Sequence, residues 1–290
     1  MAVLLLTACE SRSSSPLATP TAPFLPTHIP LPTITSTPSA TETPTPEPTV
    51  APLTDGWRET RSGVAIREMY QDEQSQRGKV LVVRIDPNQV DFHVRYQPEN
   101  PQHVFDWYND SRSLIVMNSS FFDRFNNAVG QLTTDSVSGG SIHDRMEGAF
   151  YLTAVGAAVW PLRGWQKPAG MQIVESIESF PMYLMPGGLL NPDISDDATA
   201  ARRTAVAVDR SGNVLFIVTA GSAFTLKGLG IWLANSDLNL DTALNFDGGS
   251  SSGVAVWTPI GVWGLDSNNH VPAVITVDPK VLGLTGGEAP

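Results

Sequence analysis

The sequence predicts an α+β fold in which a mixed, largely antiparallel β-sheet carries a few packed helices. Three observations lead to this class. Short apolar runs outnumber helical patterns, turn residues separate many of the runs, and strands and helices do not alternate regularly along the chain. The chain has 290 residues, 41% of them hydrophobic, which suffices for one large domain. We place this domain at residues 55–290.

The predicted elements begin at residue 79. The runs 79–86 and 90–96 flank the turn-forming pair Pro87-Asn88, which predicts a hairpin. Residues 101–110 and 226–238 carry apolar side chains at helical spacing, which predicts two helices. Further short apolar runs predict strands at 114–117, 149–152, 182–185, 204–208, 214–219, 254–257 and 273–277.

The first nine residues resemble the end of a bacterial lipoprotein signal. They contain Leu-Leu-Leu-Thr-Ala followed by Cys9, an apolar run closed by small residues, without the basic segment of a complete export signal. We interpret residues 1–9 as a truncated lipoprotein signal. Cys9 is then the lipidation site, and it anchors an extracytoplasmic protein in the membrane at the cell surface. The alternative is that Cys9 is incidental.

Residues 10–54 have the composition of a tether. They are rich in Pro, Thr, Ser and Ala, and eleven of the 23 prolines of the chain lie between Pro16 and Pro52. A segment with so few large apolar side chains cannot offset its chain entropy by burial. We therefore predict a disordered linker between a lipid anchor and the folded domain.

Charge and ligand spacing restrict the partners. The net charge of −11 disfavours nucleic acid as a partner, so a site for phosphate must be a local basic or amide-rich exception. The histidines show no metal-ligand spacing, and we predict no bound metal and no other cofactor. A hard cation such as Ca²⁺, held by Asp carboxylates, stays open. The single cysteine excludes an internal disulfide.

Polar residues follow or precede three of the predicted strands. Asn118 opens the first group, Asn-Ser-Ser-Phe-Phe-Asp, which ends at Asp123. Arg203 opens the second, Arg-Thr-Ala-x-x-x-Asp-x-x-Gly, and Asn245 opens the third, Asn-x-Asp-Gly-Gly-x-Ser-Ser. Glycines allow close backbone approach, and successive turn amides and hydroxyls can donate hydrogen bonds to an anion. A carboxylate beside such donors suits chemistry on a charged substrate.

The three motifs, in this order and spacing, resemble those of the phosphodiester glycosidase family over residues 79–279. The resemblance implies a hydrolase that releases a sugar from a sugar-1-phosphodiester, so that the partner is a carbohydrate phosphodiester or a cell-envelope glycan. The chain departs from the family pattern once in each motif. The family usually has Gly-Gly or Gly-Thr after the Asn of the first motif, Pro before the Arg of the second, and a third Gly in the last. This chain has Ser119-Ser120, Arg202 and Ser250 at these positions. These departures bear on the substrate more than on the fold.

The resemblance and the chemistry of the side chains together suggest roles. A phosphate leaving group lessens the need for the second carboxyl group that glycoside hydrolysis normally uses. Asp247 is the first candidate for the catalytic carboxylate and Asp123 the second, while Asn118 orients the substrate or the carboxylate. Arg203 is assigned to the phosphate, because a guanidinium matches phosphate oxygens. Further donors to the phosphate are predicted at Gly248, Gly249, Ser250 and Ser251.

Structural alternatives accompany each assignment. Asn118 could simply form a turn, Asp123 could cap a helix or bind a structural cation with Asn126, and Arg203 could pair with a surface acid. His143 could act as a proton relay or lie in a solvated loop.

Two other functions are open from the sequence. A non-catalytic surface protein would bind glycan through Trp57, Trp107, Trp160, Trp165 and Trp263. A serine hydrolase would use Ser251 as the nucleophile of a Gly-x-Ser-x-Gly elbow at residues 249–253, with Asp266 and His270 as partners. The elbow requires a helix after the turn, whereas residues 254–257 predict a strand.

Overall fold

The computed structural model describes residues 56–280, except 135–136, 154–155, 165–169 and 196–197. The predicted signal and linker, residues 1–9 with Cys9 and residues 10–54, lie outside the described residues. No helix in the described part of the chain combines the length and the apolar character needed to cross a membrane.

The described residues form a mostly β structure with two α-helices, α1 (Val104–Ser111) and α2 (Leu226–Asn235), and a short 3-10 turn at Gly249–Ser251. The α+β class therefore overstates the helical part. The strands up to residue 161 are β1 (Arg58–Arg61), β2 (Val64–Asp72), β3 (Arg77–Ile85), β4 (Val90–Tyr96), β5 (Ile115–Asn118), β6 (Phe121–Phe122), β7 (Ala128–Thr134), β8 (Val137–Ser141), β9 (Gly148–Thr153) and β10 (Gly156–Pro161). The remaining strands are β11 (Ile173–Ser179), β12 (Met182–Met185), β13 (Leu189–Leu190), β14 (Thr204–Asp209), β15 (Val214–Thr219), β16 (Leu240–Phe246), β17 (Val254–Thr258), β18 (Gly261–Leu265) and β19 (Ala273–Pro279).

The strands make three antiparallel sheets. The largest has the order β1-β2-β3-β15-β14-β16-β12-β13. The second runs β10-β9-β11-β7-β6, with β8 paired to β7, and the third runs β18-β17-β5-β19-β4. The predicted largely antiparallel arrangement is confirmed, but the strands form three sheets instead of one, and the described strand pairs are antiparallel rather than mixed.

The predicted hairpin of residues 79–96 is wrong, although both of its strands exist. β3 pairs with β2 and β15, and β4 pairs with β19 in another sheet. Both edges of β3 are thus taken by other strands. Between the two strands, the Asp86 carboxylate accepts a hydrogen bond from the Asn88 amide at 2.9 Å and turns the chain towards the third sheet.

One apolar core lies among the three sheets. Phe92 of β4 packs edge-on against Phe150 of β9 and Phe216 of β15, with ring centroids 6.1 and 6.2 Å apart. The helices cover outer faces: α1 packs on the five-stranded sheet and Leu229 of α2 packs on the eight-stranded sheet. Both faces of the central strands are covered. Consecutive residues such as Ala205 and Val206, whose side chains point to opposite faces of the sheet, are therefore equally buried. This explains why these strands appear as unbroken apolar runs in the sequence.

Strand ends from two sheets meet at one place. In the eight-stranded sheet, the first residue of β14, Thr204, is paired with the last residue of β16, Phe246. In the five-stranded sheet, the first residue of β17, Val254, is paired with Met117 near the end of β5. The short link from Asp247 to Gly253 joins the two sheets, so the three sequence motifs converge there.

Candidate functional site

Asn118 connects the two sheets at this convergence. Its side-chain nitrogen donates to the backbone carbonyl of Asp247 at 2.7 Å. Its side-chain oxygen accepts from the Thr204 hydroxyl at 2.9 Å and from the Gly253 amide at 3.0 Å. The residue is 1% exposed. Of the two roles predicted for Asn118, this geometry favours holding the backbone of the catalytic candidate over contact with a substrate.

Thr204 and Ser252 extend this network and were not singled out from the sequence. Their hydroxyl oxygens lie 3.0 Å apart, and both residues are fully buried. The Thr204 hydroxyl is the donor in both contacts, so its one hydrogen is shared between the Asn118 side-chain oxygen and the Ser252 hydroxyl oxygen. Both residues lie inside the second and third sequence motifs, and this position was the only signal in the sequence for their role. Because Ser252 is one of three consecutive serines, the sequence gave no reason to choose it over Ser250 or Ser251.

Asp247 carries a carboxyl group with a displaced pKa. Burial raises its pKa to about 6, although hydrogen bonds from the Ser251 side chain and the Gly248 amide act in the opposite direction. The Asp247 amide donates to the Ser119 carbonyl at 3.0 Å, which fixes the backbone. A carboxyl group with this pKa can accept or release a proton near neutral pH.

The glycine-rich turn is closed on the protein itself. A Cβ at Gly248 would lie 3.0 Å from the Arg202 carbonyl oxygen, so any other residue there would push this backbone away by a few tenths of an ångström. The Gly249 amide donates to that same oxygen at 2.8 Å, and the Gly248 amide and Ser251 hydroxyl donate to Asp247. These three predicted phosphate donors are therefore used within the protein.

Ser250 is the predicted donor that faces solvent. Its hydroxyl oxygen accepts from the Asn269 side chain at 2.7 Å, and its carbonyl accepts from the amides of Asn268 and Asn269. The loop after β18 thereby holds the turn in place. Two further hydroxyls at positions that depart from the family pattern, those of Ser119 and Ser120, are buried without a hydrogen-bond partner among the described residues.

Arg203 is buried rather than presented to solvent. Its Nε donates to the Phe224 carbonyl at 3.2 Å and its Nη2 to the Thr199 carbonyl at 2.7 Å, and the residue is 9% exposed. Its side chain passes beside Gly248, with Cδ 3.8 Å from the position of a Cβ there. The guanidinium thus holds two carbonyl groups next to the turn, and its predicted role in phosphate binding gains no support from these contacts.

Asp123 belongs to a different local structure. Its Oδ1 accepts from the amides of Phe125 and Asn127 at 2.8 and 2.9 Å, and its Oδ2 accepts from the Asn127 side chain at 3.2 Å. These hydrogen bonds, that of the Asn127 amide foremost, lower the pKa of Asp123. The carboxylate shapes the turn between β6 and β7. This is a structural role other than the helix cap predicted as its alternative, and it gives no support to the catalytic role.

An aromatic row lies beside the site. The Phe180 ring lies 5.0 Å from Phe121 and is stacked 6.5 Å from His143. The Phe180 carbonyl accepts from the Asn245 side-chain nitrogen at 2.8 Å, and the Tyr183 hydroxyl donates to the Asn245 side-chain oxygen at 2.7 Å. Asn245 thus ties the β11–β12 connection to the end of β16, two residues before Asp247.

The geometry excludes the serine-hydrolase interpretation. Ser251 lies in a 3-10 turn that leads into β17, so the required helix is replaced by a strand. Asp266 accepts hydrogen bonds from the amides of Phe105 and Ser267, and the His270 ring packs 4.3 Å from His103. Both proposed triad partners, Asp266 and His270, are therefore engaged in contacts that hold the local fold together.

The four tryptophans proposed for glycan binding that the structure describes do not form a shared exposed surface. Trp57 is 4% exposed and Trp107 is 3% exposed, so both belong to the core. The indole nitrogen of Trp263 donates to Glu68, and Trp160 packs against Tyr151. Trp165 lies outside the described residues.

Metal-binding side chains are not gathered in the described part of the chain. Over residues 56–280, apart from the gaps given above, no group of three or more His, Cys, Asp or Glu side chains could hold an ion.

Comparison with known proteins identifies related molecules. A family model described as phosphodiester glycosidase matches residues 111–277. Among curated proteins, none matches this sequence.

Three solved structures resemble the fold. The catalytic domain of zebrafish N-acetylglucosamine-1-phosphodiester alpha-N-acetylglucosaminidase, auto-inhibited by its pro-peptide, has 15% identity and a TM-score of 0.57, covering 75% of this chain and 82% of its own. A protein from Burkholderia pseudomallei described as a 'putative exported protein' has 12% identity and a TM-score of 0.52, covering 70% of this chain and 74% of its own. A hypothetical protein from Synechocystis has 16% identity and a TM-score of 0.50, covering 74% and 62%. At these identities the likeness shows the fold alone.

Proposed function

The chain belongs to the phosphodiester glycosidase family, and on that premise we propose that it hydrolyses a sugar-1-phosphodiester at the bacterial cell surface. The observation that carries the proposal is the Asp247 carboxyl group, whose pKa of about 6 suits proton transfer near neutral pH. Its backbone is held by the family-motif residue Asn118. The zebrafish relative, a phosphodiester glycosidase by name, supports the substrate class.

The proposed reaction needs one working carboxylate. Water attacks the anomeric carbon of the sugar, and the bond from that carbon to the phosphate oxygen breaks. The phosphate monoester leaves with the bonding electrons and is already stable as an anion, which lessens the need for a second carboxyl group to protonate it. The Asp247 carboxylate accepts the proton of the attacking water, while Ser251 and Gly248 keep it oriented through their hydrogen bonds.

A panel of substrates tests the proposal. We would incubate the full chain with the C1 methyl phosphodiesters of N-acetylglucosamine, glucose, galactose and mannose and measure the sugar released. The proposal expects release from at least one member by the wild type and its loss in Asp247→Asn. Asp241→Asn is the matched control, because Asp241 lies on β16, the strand that Asp247 follows, and its carboxylate accepts only a loop amide, that of Gly187 at 2.9 Å, among the described contacts. Absence of release from every member would refute the proposal.

The cell-surface setting is part of the same proposal. It is supported by the lipobox-like residues before Cys9 and by the description of the Burkholderia pseudomallei neighbour as a 'putative exported protein'. Replacement of Cys9 by Ser should move the protein from the membrane fraction of a bacterial host to the soluble extracytoplasmic fraction. Equal membrane association of the two proteins would contradict lipid anchoring at Cys9.

A further inference from the structure

The hairpin of β17 and β18 presents apolar side chains to solvent where its two strands meet. Trp257 is 42% exposed, Ile260 66% and Val262 45%. Trp257 lies opposite Val262 in the strand register, so the two share one face of the hairpin, and Ile260 lies in the turn that joins the strands. These three side chains are therefore neighbours, and we call them the hairpin tip.

The hairpin tip differs from the other exposed apolar positions of the described residues. It holds three of the nine large hydrophobic side chains that are exposed there. The other six are four single residues and one adjacent pair in the sequence: Phe125, Ile142, Val174 and Ile231, and Leu189 with Leu190. Single exposed apolar residues are normal on a protein surface, whereas grouped ones indicate a surface that binds a protein or a membrane.

The hairpin itself carries no charge. Residues 248–265 contain no Asp, Glu, Lys, Arg or His. Glu68 of β2 accepts a hydrogen bond from the Trp263 indole at 3.3 Å, but it also accepts one from Lys79 at 2.8 Å, so its charge is already paired. Transfer of the hairpin tip out of water therefore costs little, because no ion has to lose its hydration.

The residue types of the hairpin tip suit the boundary between lipid and water. Tryptophan combines a large apolar ring with one N–H donor, and it is enriched where membranes meet water. Ile260 and Val262 add aliphatic surface beside it. Apolar side chains on the surface of a folded domain can enter the outer layer of a bilayer without any segment that spans it.

The polypeptide enters the domain beside the hairpin tip. The first continuous stretch of described residues starts at Gly56, and Arg58 lines a recess of about 150 Å³ together with Ile260 and Val262. A linker anchored in lipid at Cys9 would therefore reach the domain at this place. The Arg58 guanidinium can also bind the phosphate groups of lipids. The position of the chain entry favours a lipid surface over a second copy of the chain as the partner.

We propose that the hairpin tip docks on the lipid surface to which the linker is anchored. Which membrane this is rests on the proposed cell-surface setting, but docking itself requires neither Cys9 nor turnover. Because a linker keeps the domain close to the membrane, a weak contact is sufficient.

Docking at the hairpin tip has a consequence for the substrate. The other end of the hairpin, at Val254 and Leu265, directly follows the turn that begins at Asp247. Along a strand of five residues the two ends are separated by up to roughly 15 Å. The docked protein would thus hold the Asp247 turn away from the lipid, which favours substrates in the envelope over lipid-linked ones.

Vesicle binding tests the docking surface. The full chain with Cys9→Ser, which removes the lipidation site, would be sedimented with vesicles of phosphatidylethanolamine and a minority of phosphatidylglycerol over a range of lipid concentrations. We expect Ile260→Asp/Val262→Asp in this background to lower the partition coefficient at least about tenfold. Leu189→Asp/Leu190→Asp is the matched control, because it adds the same charge at an apolar pair that is 65% and 37% exposed, and it should change partition by less than about threefold.

The outcomes separate docking from its alternatives. No vesicle binding by the Cys9→Ser parent, or an equal loss in both Asp pairs, would overturn the proposal. A concentration-dependent dimer that Ile260→Asp/Val262→Asp abolishes, without vesicle binding, would also overturn it and assign the hairpin tip to a second copy. Ile260→Ser/Val262→Ser leaves the charge unchanged and should still weaken partition; unchanged partition would contradict an apolar contact.

Docking and the proposed function can fail independently. The hairpin-tip variants should release sugar in solution as the parent does, since the hairpin tip lies outside the Asp247 site. Vesicle binding that depends on the hairpin tip, without release of any sugar, would leave docking in place while the proposed function fails. Melting temperatures of the variants verify that they are folded.

Discussion

Asp123 and Asp247 each follow a β-strand, yet their carboxyl groups have opposite surroundings. The Asp123 carboxylate accepts three hydrogen bonds from residues within its own turn, and these lower its pKa. The Asp247 carboxylate lies where two sheets meet, and burial raises its pKa to about 6. The difference shows that the partners of an aspartate at a strand end, rather than its position there, indicate whether it is prepared for proton transfer.

A third aspartate strengthens this comparison. Asp209 begins the turn Asp-Arg-Ser-Gly-Asn, and Asp123 begins the turn Asp-Arg-Phe-Asn-Asn. In both turns the carboxylate accepts from the amides two and four residues later and from the final Asn side chain. The fourth residue has positive φ in each case, 66° at Asn126 and 86° at Gly212. The Asp123 turn is thus a structural unit that the protein uses twice.

The largest expected difference is in catalysis. Asp247→Asn should reduce kcat/KM by about a thousandfold, within the range for loss of a positioned acid or base, whereas Asp123→Asn should change it by less than about threefold. The measurement is sugar release from whichever phosphodiester the wild type cleaves. A comparable loss in both variants would show that the turn at Asp123 also serves the reaction.

Removal of Asn118 should affect stability strongly. Asn118→Ala leaves the Gly253 amide and the Asp247 carbonyl without their side-chain partner in a buried place, and it removes one of the two acceptors near the Thr204 hydroxyl. We expect the free energy of unfolding in urea to fall by about 3 kcal/mol, since each unsatisfied buried group costs about 1–3 kcal/mol. Asn100→Ala, at an exposed turn, is the control and should change it by less than about 0.5 kcal/mol. A loss as small as that of the control would contradict the bridging role of Asn118.

The two aspartates should affect stability with opposite dependence on pH. The pKa of Asp247 is higher in the folded than in the unfolded chain, so its contribution to stability is lost as pH rises from about 4 to 6. Asp247→Asn should therefore raise the free energy of unfolding at pH 7.5 by up to about 3 kcal/mol, and the gain should vanish below pH 4. Asp123 has a lowered pKa, so its contribution is present at neutral pH and lost in acid, and Asp123→Asn should destabilise only at the higher pH. Urea unfolding at several pH values measures both; parallel curves for the two variants would contradict the assigned environments.

The smallest effect concerns the donor to Asp247. Because the hydrogen bond from Ser251 lowers the pKa of Asp247, Ser251→Ala should shift the acidic limb of the activity profile from about pH 6 to higher pH. Ser250→Ala should leave the limb in place, since the Ser250 hydroxyl contacts Asn269 instead. A profile that Ser251→Ala does not move would show that this hydrogen bond does not orient or tune the carboxylate.

The sequence predicted nine of the 19 strands in the described part of the chain and singled out polar residues at strand ends, because short apolar runs and the polar residues beside them are local features. It could not predict the partner of β3, which pairs with residues 64–72 and 214–219 instead of with the strand that follows it. Nor could it show that the Arg203 guanidinium reaches the carbonyls of Thr199 and Phe224, or that Trp57 is buried. In each case the contact that decides the residue's role is made in the tertiary structure, and the residue's type and its neighbours in the sequence do not determine it.

The hydrogen bonds of Asn118 have a consequence for how the protein folds. Its partners Thr204, Asp247 and Gly253 lie 86, 129 and 135 positions further along the chain. Contacts of such long sequence separation require closure of large loops and characterise slowly folding β proteins. The site therefore assembles only when strands from both halves of the domain have docked, and recovery of activity after dilution from denaturant should report completion of the whole fold.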